Sequence, residues 1–435
     1  MLNKDYKKIL SLSIPAAVSN FFDMIQVLVD MIMLGRVSPE AVAAAGLSMQ
    51  FLGFLYAVMA FFSVGTSAII SRYVGAKKFE EVSKVIFLSS FIGLIISVPF
   101  TLIGIFLPEE LFFMMGASNE VVENGVSYFQ IISLTIPVIF IEMAIYSSFN
   151  AIGDTKTPLK IVLLANLINT ILDYLLIFGK FGFPKLGIEG AAIATAISYF
   201  LSFFVYIYAI NRKVGISPEF ELKYVKKILT ISVPTGVERV FTYFSFLLFV
   251  KLIADYGTNV LAGYQIGLRI EGLAFMPGFG FTIAAMTLVG QSLGASDPDK
   301  AQRLAWQTTK IASLFMGMMG VFMVLTPEYL VMVFTEDREV IQEASIYLKI
   351  VGLTQVPLAI SFVLSGALRG AGATKTTMIV NSISLWFFRI IPAYILSKIF
   401  KDVIWIYYAM FFETYAKAGI LYLIFKTGKW KEKKI

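Results

Sequence analysis

Apolar stretches of about 20 or more residues recur along this chain of 435 residues. Short segments rich in charge, glycine or proline separate them. Such a stretch lets an α-helix cross a bilayer, where every backbone amide must find its hydrogen-bond partner within the segment. The composition agrees, because 58% of the residues are hydrophobic and 15% are charged, against about 45–50% and about 25% in soluble domains. The sequence therefore predicts an all-α polytopic membrane protein.

The chain contains no cysteine and no histidine. Disulfides, thiolate nucleophiles, imidazole bases and zinc motifs are therefore excluded, and carboxylates become the expected proton carriers. The formal net charge is +7. In a membrane protein such an excess reflects basic loops on the cytoplasmic side rather than a nucleic-acid partner. The basic start from Met1 to Lys8 leads into an apolar run that reaches about Leu34. This run is too long for a signal peptide, so we expect an uncleaved first helix.

Twelve membrane-spanning helices are predicted, six in each half of the chain. With the N-terminus in the cytoplasm, the cytoplasmic segments hold 23 lysines and arginines and the outer loops hold six, as the positive-inside rule requires. We therefore expect a multi-pass protein of the cell (inner or cytoplasmic) membrane with both termini in the cytoplasm. The predicted spans are 9–34, 43–70, 84–107, 126–149, 159–179, 188–210, 227–254, 259–289, 304–326, 343–369, 376–397 and 403–425.

The two halves repeat each other at a constant spacing of 219 residues. Gly75-Ala76 returns as Gly294-Ala295, and Pro108 returns as Pro327. Because six is an even number, the two copies share one orientation in the membrane. Parallel repeats of this kind usually cradle a substrate site and rock to give alternating access. The expected domains are an N-lobe (1–210), a cytoplasmic linker (211–226), a C-lobe (227–425) and a basic cytoplasmic tail (426–435).

Polar residues that the repeat does not preserve form two stripes in the first half. Within each stripe the spacing places the side chains on one helical face. The second half has Phe249 in place of Asp30 and Pro392 in place of Asp173. Acids inside a membrane are costly and functional by default. The stripes are Ser19, Asp23, Gln26 and Asp30 in span 1, and Asn166, Asn169 and Asp173 in span 5.

Similar depth in the membrane predicts that some of these residues meet in one pocket. Asp30, Asn169, Asp173 and Thr195 of span 6 are the candidate coupling site, which would bind a proton or Na⁺ through its oxygen atoms. The simpler interpretation is that these groups only join the helices by hydrogen bonds.

A different set of charges lies within the spans of the second half. These residues either neutralise one another, for example Glu238 or Glu271 with Arg269, or line a substrate cavity. Glu238 and Arg269, with Asp23 and Gln26 of the first half, are the candidate cavity residues. The full set is Glu238, Arg239, Lys251, Arg269, Glu271 and Arg389.

Several segments together resemble the multidrug and toxic compound extrusion (MATE) family. Their order and spacing in two halves carry the resemblance, which runs from Pro15 to about Thr376. The segments are Pro15 and Pro234 at helix starts, Val29-Asp30-Met31 before Gly35, the two Gly-Ala loops, Gly153-Asp154-Thr155-Lys156-Thr157-Pro158, Asn169-Thr170-Ile171-Leu172-Asp173 and Gly190-Ala191-Ala192-Ile193-Ala194-Thr195.

The resemblance implies twelve helices in two six-helix lobes that export drugs or metabolites against inward H⁺ or Na⁺. It also implies cation binding at Asp30, Asn169, Asp173 and Thr195. Many members have further acids on helices 7 and 10, but here helix 10 has none between Ile346 and Gly370. We therefore expect coupling to rest on the N-lobe.

The sequence thus predicts an antiporter that exports organic, cationic or amphipathic compounds. It would act as a monomer in the lipid bilayer, with no cofactor besides the coupling H⁺ or Na⁺, no resident metal, no nucleic acid and no catalytic residues. The main alternative is a flippase for a lipid-linked saccharide or related anionic lipid, in which Arg239, Arg269 and Arg389 would face the pyrophosphate. An aspartyl protease built on Asp30 and Asp173 is a weaker alternative, because no Gly-x-Gly-Asp pattern occurs.

Overall fold

The computed structural model describes residues 2–433, and within this range the chain is helical and has no β-strand. The predicted all-α class is confirmed. Of the predicted tail (426–435), residues 434 and 435 lie outside the described range, as does Met1 of the predicted N-lobe. The first half contains α1 (Leu2–Leu34), α2 (Pro39–Gly75), α3 (Phe79–Phe106), α4 (Pro108–Met114), α5 (Asn119–Ile152), α6 (Lys156–Phe178) and α7 (Ile188–Lys213).

The second half repeats this order of helices. It contains α8 (Leu222–Ala254), α9 (Thr258–Gly294), α10 (Pro298–Leu325), α11 (Pro327–Met332), α12 (Arg338–Gly370), α13 (Thr374–Ile383), a π-helix (Ser384–Ile390), α14 (Ile391–Phe400) and α15 (Ile404–Lys426), followed by a 3₁₀ turn (Lys429–Glu432).

Capping residues and prolines explain where many helices begin and end. The Ser38 hydroxyl accepts a hydrogen bond from the Ala41 amide at 3.1 Å, and Pro39 occupies the first turn of α2. The short helices α4 and α11, which were not predicted, both begin with a proline of the repeat. Gly153 ends α5 at φ +95°, a left-handed conformation that favours glycine.

Span 11 was predicted as one continuous helix, but it divides into α13, the π-helix and α14. Pro392 stands in the first turn of α14 and has no backbone N–H to donate to the carbonyl of Phe388. The seven residues from Ser384 to Ile390 take the wider π geometry just before this proline. Arg389 therefore lies on a π-helix rather than on a regular turn of α-helix.

The first helix of each half packs against both halves of the molecule. In the packing, α1 contacts α9 as well as α6 of its own half, while α8 contacts α2 and α13. One hydrophobic core therefore contains Ile9 and Leu12 of α1 among second-half residues, and the other contains Tyr224 and Ile228 of α8 among first-half residues. Within residues 2–433, ten helical segments are long and apolar enough to cross a membrane.

The two halves approach most closely where α2 and α9 end. A Cβ atom added to Gly75 would lie 2.0 Å from the Gln291 carbonyl oxygen, and one added to Gly294 would lie 2.0 Å from that of Arg72. No side chain fits at such a distance, so glycine is required at both positions. The repeated Gly-Ala segments are thus the place where the backbones of α2 and α9 cross.

Candidate functional site

The predicted coupling residues of the first half come together between α1, α6 and α7. Asp30 and Asp173 are close enough for their carboxyl groups to share a hydrogen bond. One terminal atom of the Asn169 amide lies 3.3 Å from Asp30 Oδ1, and the other lies 3.2 Å from the backbone nitrogen of Thr195. The Thr195 hydroxyl lies 3.4 Å from the same amide. The structure therefore places all four residues in one cluster, which is called the coupling site after the role that the sequence predicts for it.

Gln26 belongs to this site rather than to the substrate cavity to which the sequence assigned it. Its Nε2 donates to Asp30 Oδ1 at 2.6 Å, and its amide also contacts Asn169. Thr170 donates its hydroxyl proton to Gln26 Oε1 at 3.1 Å. Gln26 lies one turn before Asp30 on α1, so the same helical spacing that defined the stripe directs both side chains to α6.

The coupling site is closed to solvent around its second acid. Asp173 is 0% exposed and Asn169 is 4% exposed. Within residues 2–433, no Lys or Arg forms an ion pair with Asp30 or Asp173, and Asp173 Oδ1 has no hydrogen-bond partner. Asp173 is buried and Asp30 is partly buried, and two such carboxyl groups in contact without a cationic partner disfavour a state in which both are ionised. Their arrangement can hold one proton, or one small cation bound by oxygen atoms.

A second polar cluster lies on the same face of α1. The Asp23 carboxyl lies close to Asn166, whose Nδ2 donates to the Phe22 carbonyl, while Glu142 of α5 accepts a hydrogen bond from Ser202 of α7. The charges of Asp23 and Glu142 lie close enough to interact. Sequence reasoning missed Glu142, although an acid inside the apolar run 126–149 was the available signal. The first half thus has two pairs of acids, and Asp23–Glu142 is named the inner acid pair.

Tyrosines surround the inner acid pair. Tyr56 and Tyr199 lie close to one another and to both acids. The Tyr56 side chain is half exposed, so one side of this cluster lies at the surface of the molecule. Acidic and aromatic groups together favour organic cations through ionic and cation–π contacts.

Glu238 of the second half is engaged in a buried ion pair. Its Oε1 accepts from Arg369 Nη2 at 2.6 Å and from Asn381 Nδ2 at 2.8 Å, and its exposed fraction is 4%. The suggested pairing with Arg269 is wrong, because Arg269 is exposed and α12 brings Arg369 to Glu238 instead. Glu238 therefore joins α8 to α12 and α13. Its carboxylate is buried among these partners and does not face the substrate cavity that was expected from the sequence.

Arg389 is paired as well. Its Nη2 donates to Glu413 Oε2 at 2.7 Å, and Lys417 Nζ lies 2.9 Å from Glu413 Oε1. Glu413 is fully buried in α15 and was not singled out from the sequence. Glu271 does not pair with Arg269 either, since it accepts the hydroxyl proton of Tyr347 at 2.5 Å.

A loop acid outside the spans ties α5 to α7. Asp154 accepts hydrogen bonds from the Thr157 amide at 3.1 Å and the Thr157 hydroxyl at 2.8 Å, and Lys213 Nζ lies 2.9 Å from Oδ2. Partial burial opposes ionisation, but the Lys213 ammonium and the Thr157 donors hold the pKa of Asp154 below its usual range. The Gly153-Asp154-Thr155 segment thus has a structural role in the loop.

The chain is similar to known transporters along nearly its whole length. The MatE family model matches residues 15–175 and 234–395, one copy in each half. A protein of Thermotoga maritima named "Probable multidrug resistance protein NorM" is 31% identical over 99% of this chain and 94% of its own length.

Solved structures show the same fold. A MOP superfamily transporter from Pyrococcus furiosus aligns with a TM-score of 0.90 at 21% identity, over 99% of this chain and 97% of that chain. The Vibrio cholerae MATE transporter VcmN in its bent form gives 0.91 at 21% identity, over 98% and 97%. The twelve-span, two-lobe architecture is consistent with both. The repeated halves, the shared fold and the matching family model lead to one conclusion: the chain belongs to the MatE family and is a multi-pass membrane transporter.

Proposed function

We propose that this transporter exports organic, cationic or amphipathic compounds and that proton entry through Asp30 and Asp173 drives the export. The observation that carries the proposal is the contact between these two carboxyl groups, neither of which forms an ion pair with a Lys or Arg of residues 2–433. One proton shared by the pair removes a buried charge. Binding or release of this proton therefore changes the electrostatic energy of the contact between α1 and α6. Coupling of this kind needs no cofactor.

Na⁺ is the alternative coupling ion. It would use the carboxylates with the oxygen atoms of Asn169 and Thr195, and it would have to separate the two acids that are now in contact. The direct contact between Asp30 and Asp173 therefore favours H⁺.

The contacts between the halves support alternating access. The crossing of α2 and α9 at Gly75 and Gly294 closes the molecule at the end that holds the linker (211–226) and the C-terminal turn. By the positive-inside rule this end is cytoplasmic, so the two halves are closed towards the cytoplasm in this state. We place the protein in the cell membrane with both termini in the cytoplasm, acting as a monomer.

The inner acid pair supplies a binding surface for cationic substrates. Asp23, Glu142 and the Tyr56 ring lie together in the first half and at a different level of α1 from Asp30. Both acid pairs include a residue of α1. A proton bound at Asp30–Asp173 would therefore weaken the binding of a cationic substrate at Asp23–Glu142, and the bound substrate would weaken the binding of the proton. A tenfold mutual weakening requires only about 1.4 kcal/mol.

Efflux from proteoliposomes tests this function. A cationic dye is loaded and its exit is followed first under an imposed pH gradient and then under an imposed Na⁺ gradient. We expect exit under the pH gradient, loss of that exit in Asp30→Asn, and normal exit in Asp255→Asn, which changes an exposed loop acid. Exit driven by Na⁺ alone would contradict proton coupling.

Flipping of a lipid-linked saccharide is the second candidate. Arg239 is exposed and lies close to Arg369, which gives this region of the second half an excess of positive charge. Arg389, however, is ion-paired with Glu413 and is less suited to a pyrophosphate, which carries more than one negative charge. Headgroup translocation with no dye movement under either gradient would favour the flippase.

A further inference from the structure

The second half contains a cavity with about 200 Å³ of space at the position that corresponds to the coupling site. Gln26, Asp30 and Tyr128 of the first half have counterparts 219 residues later in Ser245, Phe249 and Tyr347. All three counterparts line this cavity, and so does Arg389, which corresponds to Thr170. The duplication has therefore produced two related sites, and the second site has no acid at the position of Asp30.

One acid and one base, Glu271 and Arg389, line this cavity. Glu271 of α9 accepts the Tyr347 hydroxyl proton at 2.5 Å, and within residues 2–433 it forms no ion pair. Arg389 and Lys417 share the single carboxylate of Glu413. Two cations against one anion leave a net positive charge at Arg389, whose buried Nε also has no hydrogen-bond partner in the described chain.

Five of the side chains that line this cavity are aromatic. The Phe249 ring lies 5.8 Å from the Arg389 guanidinium, and the Tyr264 and Tyr347 rings meet edge to face at 5.1 Å. Phe275 also lines the space. A dry cavity of about 150 Å³ accepts benzene. The space therefore suits one aromatic ring with short charged substituents.

We propose that this cavity binds a small aromatic ampholyte, with its ammonium group at Glu271, its carboxylate at Arg389 and its ring against Phe249. An ampholyte matches the carboxylate of Glu271 and the excess positive charge around Arg389 at once, whereas a purely cationic or anionic ligand leaves one of them unmatched. The first-half site cannot serve the same ligand, because its charged residues are all acids. As a substrate site the cavity rests on the proposed export function, but binding itself does not require transport.

Three matched compounds test the proposal on the purified full-length protein in lipid nanodiscs. Phenylalanine carries both charges, 2-phenylethylamine lacks the carboxylate and 3-phenylpropionate lacks the ammonium group. We expect phenylalanine to bind about tenfold more tightly than either of the others. The Glu271→Gln variant should lose this advantage, while Glu336→Gln, which changes an exposed acid of the second half, should keep it. Arg389→Lys keeps the charge, so it should retain part of the advantage.

Thermal unfolding of each variant shows whether a loss of binding reflects a loss of fold. Equal affinity for the three compounds, no saturable binding of phenylalanine, or wild-type binding by a folded Glu271→Gln variant would overturn the proposal. So would binding that is lost in Asp30→Asn and kept in Glu271→Gln, because it would place the ligand in the first half. Failure of the export function would appear separately, as absence of gradient-driven dye movement.

Discussion

Gly75 of α2 and Gln291 of α9 are in direct backbone contact across the two halves. A Cβ atom at Gly75 would lie 2.0 Å from the Gln291 carbonyl oxygen, and Gln291 Nε2 donates to the Ala151 carbonyl at 2.9 Å. Thr287, one turn earlier on α9, donates to the Asn150 carbonyl at 2.8 Å. Backbone packing and hydrogen bonds thus join the two halves at one end of the transporter, together with the ion pair between Arg303 and Asp5 at 3.3 Å.

Gly75→Ala is expected to weaken this closure, because the added methyl group must push α2 away from α9. The chain has no cysteine, so a single cysteine at the buried position of Ser71 reports the opening cleanly. Labelling of this cysteine by a membrane-impermeant maleimide should become faster in Gly75→Ala. Gly53→Ala is the control, since a Cβ atom there meets nothing within 4 Å. Equal labelling rates in the two variants would count against the closure.

Glu238→Gln is expected to destabilise the second half. The change leaves Arg369 buried without its anion, and removal of one partner from a buried pair costs about 3–5 kcal/mol. The midpoint of thermal unfolding should fall, and Arg369→Met added to Glu238→Gln should restore part of it. Asp299→Asn breaks an exposed pair with Lys431 and should cost about 1 kcal/mol or less. No loss of stability in Glu238→Gln would contradict the ion pair.

The Asp154–Lys213 pair predicts a pH-dependent contribution to stability. Because the pKa of Asp154 is lowered by folding, its contribution is present above the unfolded pKa of about 3.9 and is lost as pH falls through the folded pKa. Asp154→Asn should cost about 0.5–1 kcal/mol at neutral pH. The difference between the melting curves of the two proteins should then shrink towards zero in acid. A difference that stayed constant down to low pH would rule out this electrostatic origin.

Glu142→Gln is expected to raise the KM for a cationic substrate about tenfold, which corresponds to loss of about 1.4 kcal/mol of ionic attraction. The KM for an uncharged amphipathic substrate should change little. Glu142 contacts Ser202, and glutamine can keep that hydrogen bond. Similar changes in KM for both substrates would assign Glu142 to helix packing instead of charge recognition.

Much of the architecture could be predicted from local patterns in the sequence. Apolar length gave the spans, and the spacing of 219 residues gave the two halves. Helical spacing placed Asp30 and Asp173 on facing stripes, and the structure brings them into contact. Partners across helices were less predictable, because they depend on crossing angles and depth. Arg369 is the last residue of predicted span 10, yet it reaches Glu238 of α8, and the π-helix that carries Arg389 lies just before Pro392.

Substrate-induced proton release by the purified transporter tests the coupling most directly. In weakly buffered detergent solution, a saturating cationic substrate should displace the proton shared by Asp30 and Asp173, and a pH indicator should record about one proton per protein. Asp173→Asn should release none, while Asp255→Asn should behave like wild type. Undiminished proton release in a folded Asp173→Asn variant would contradict the proposed coupling site.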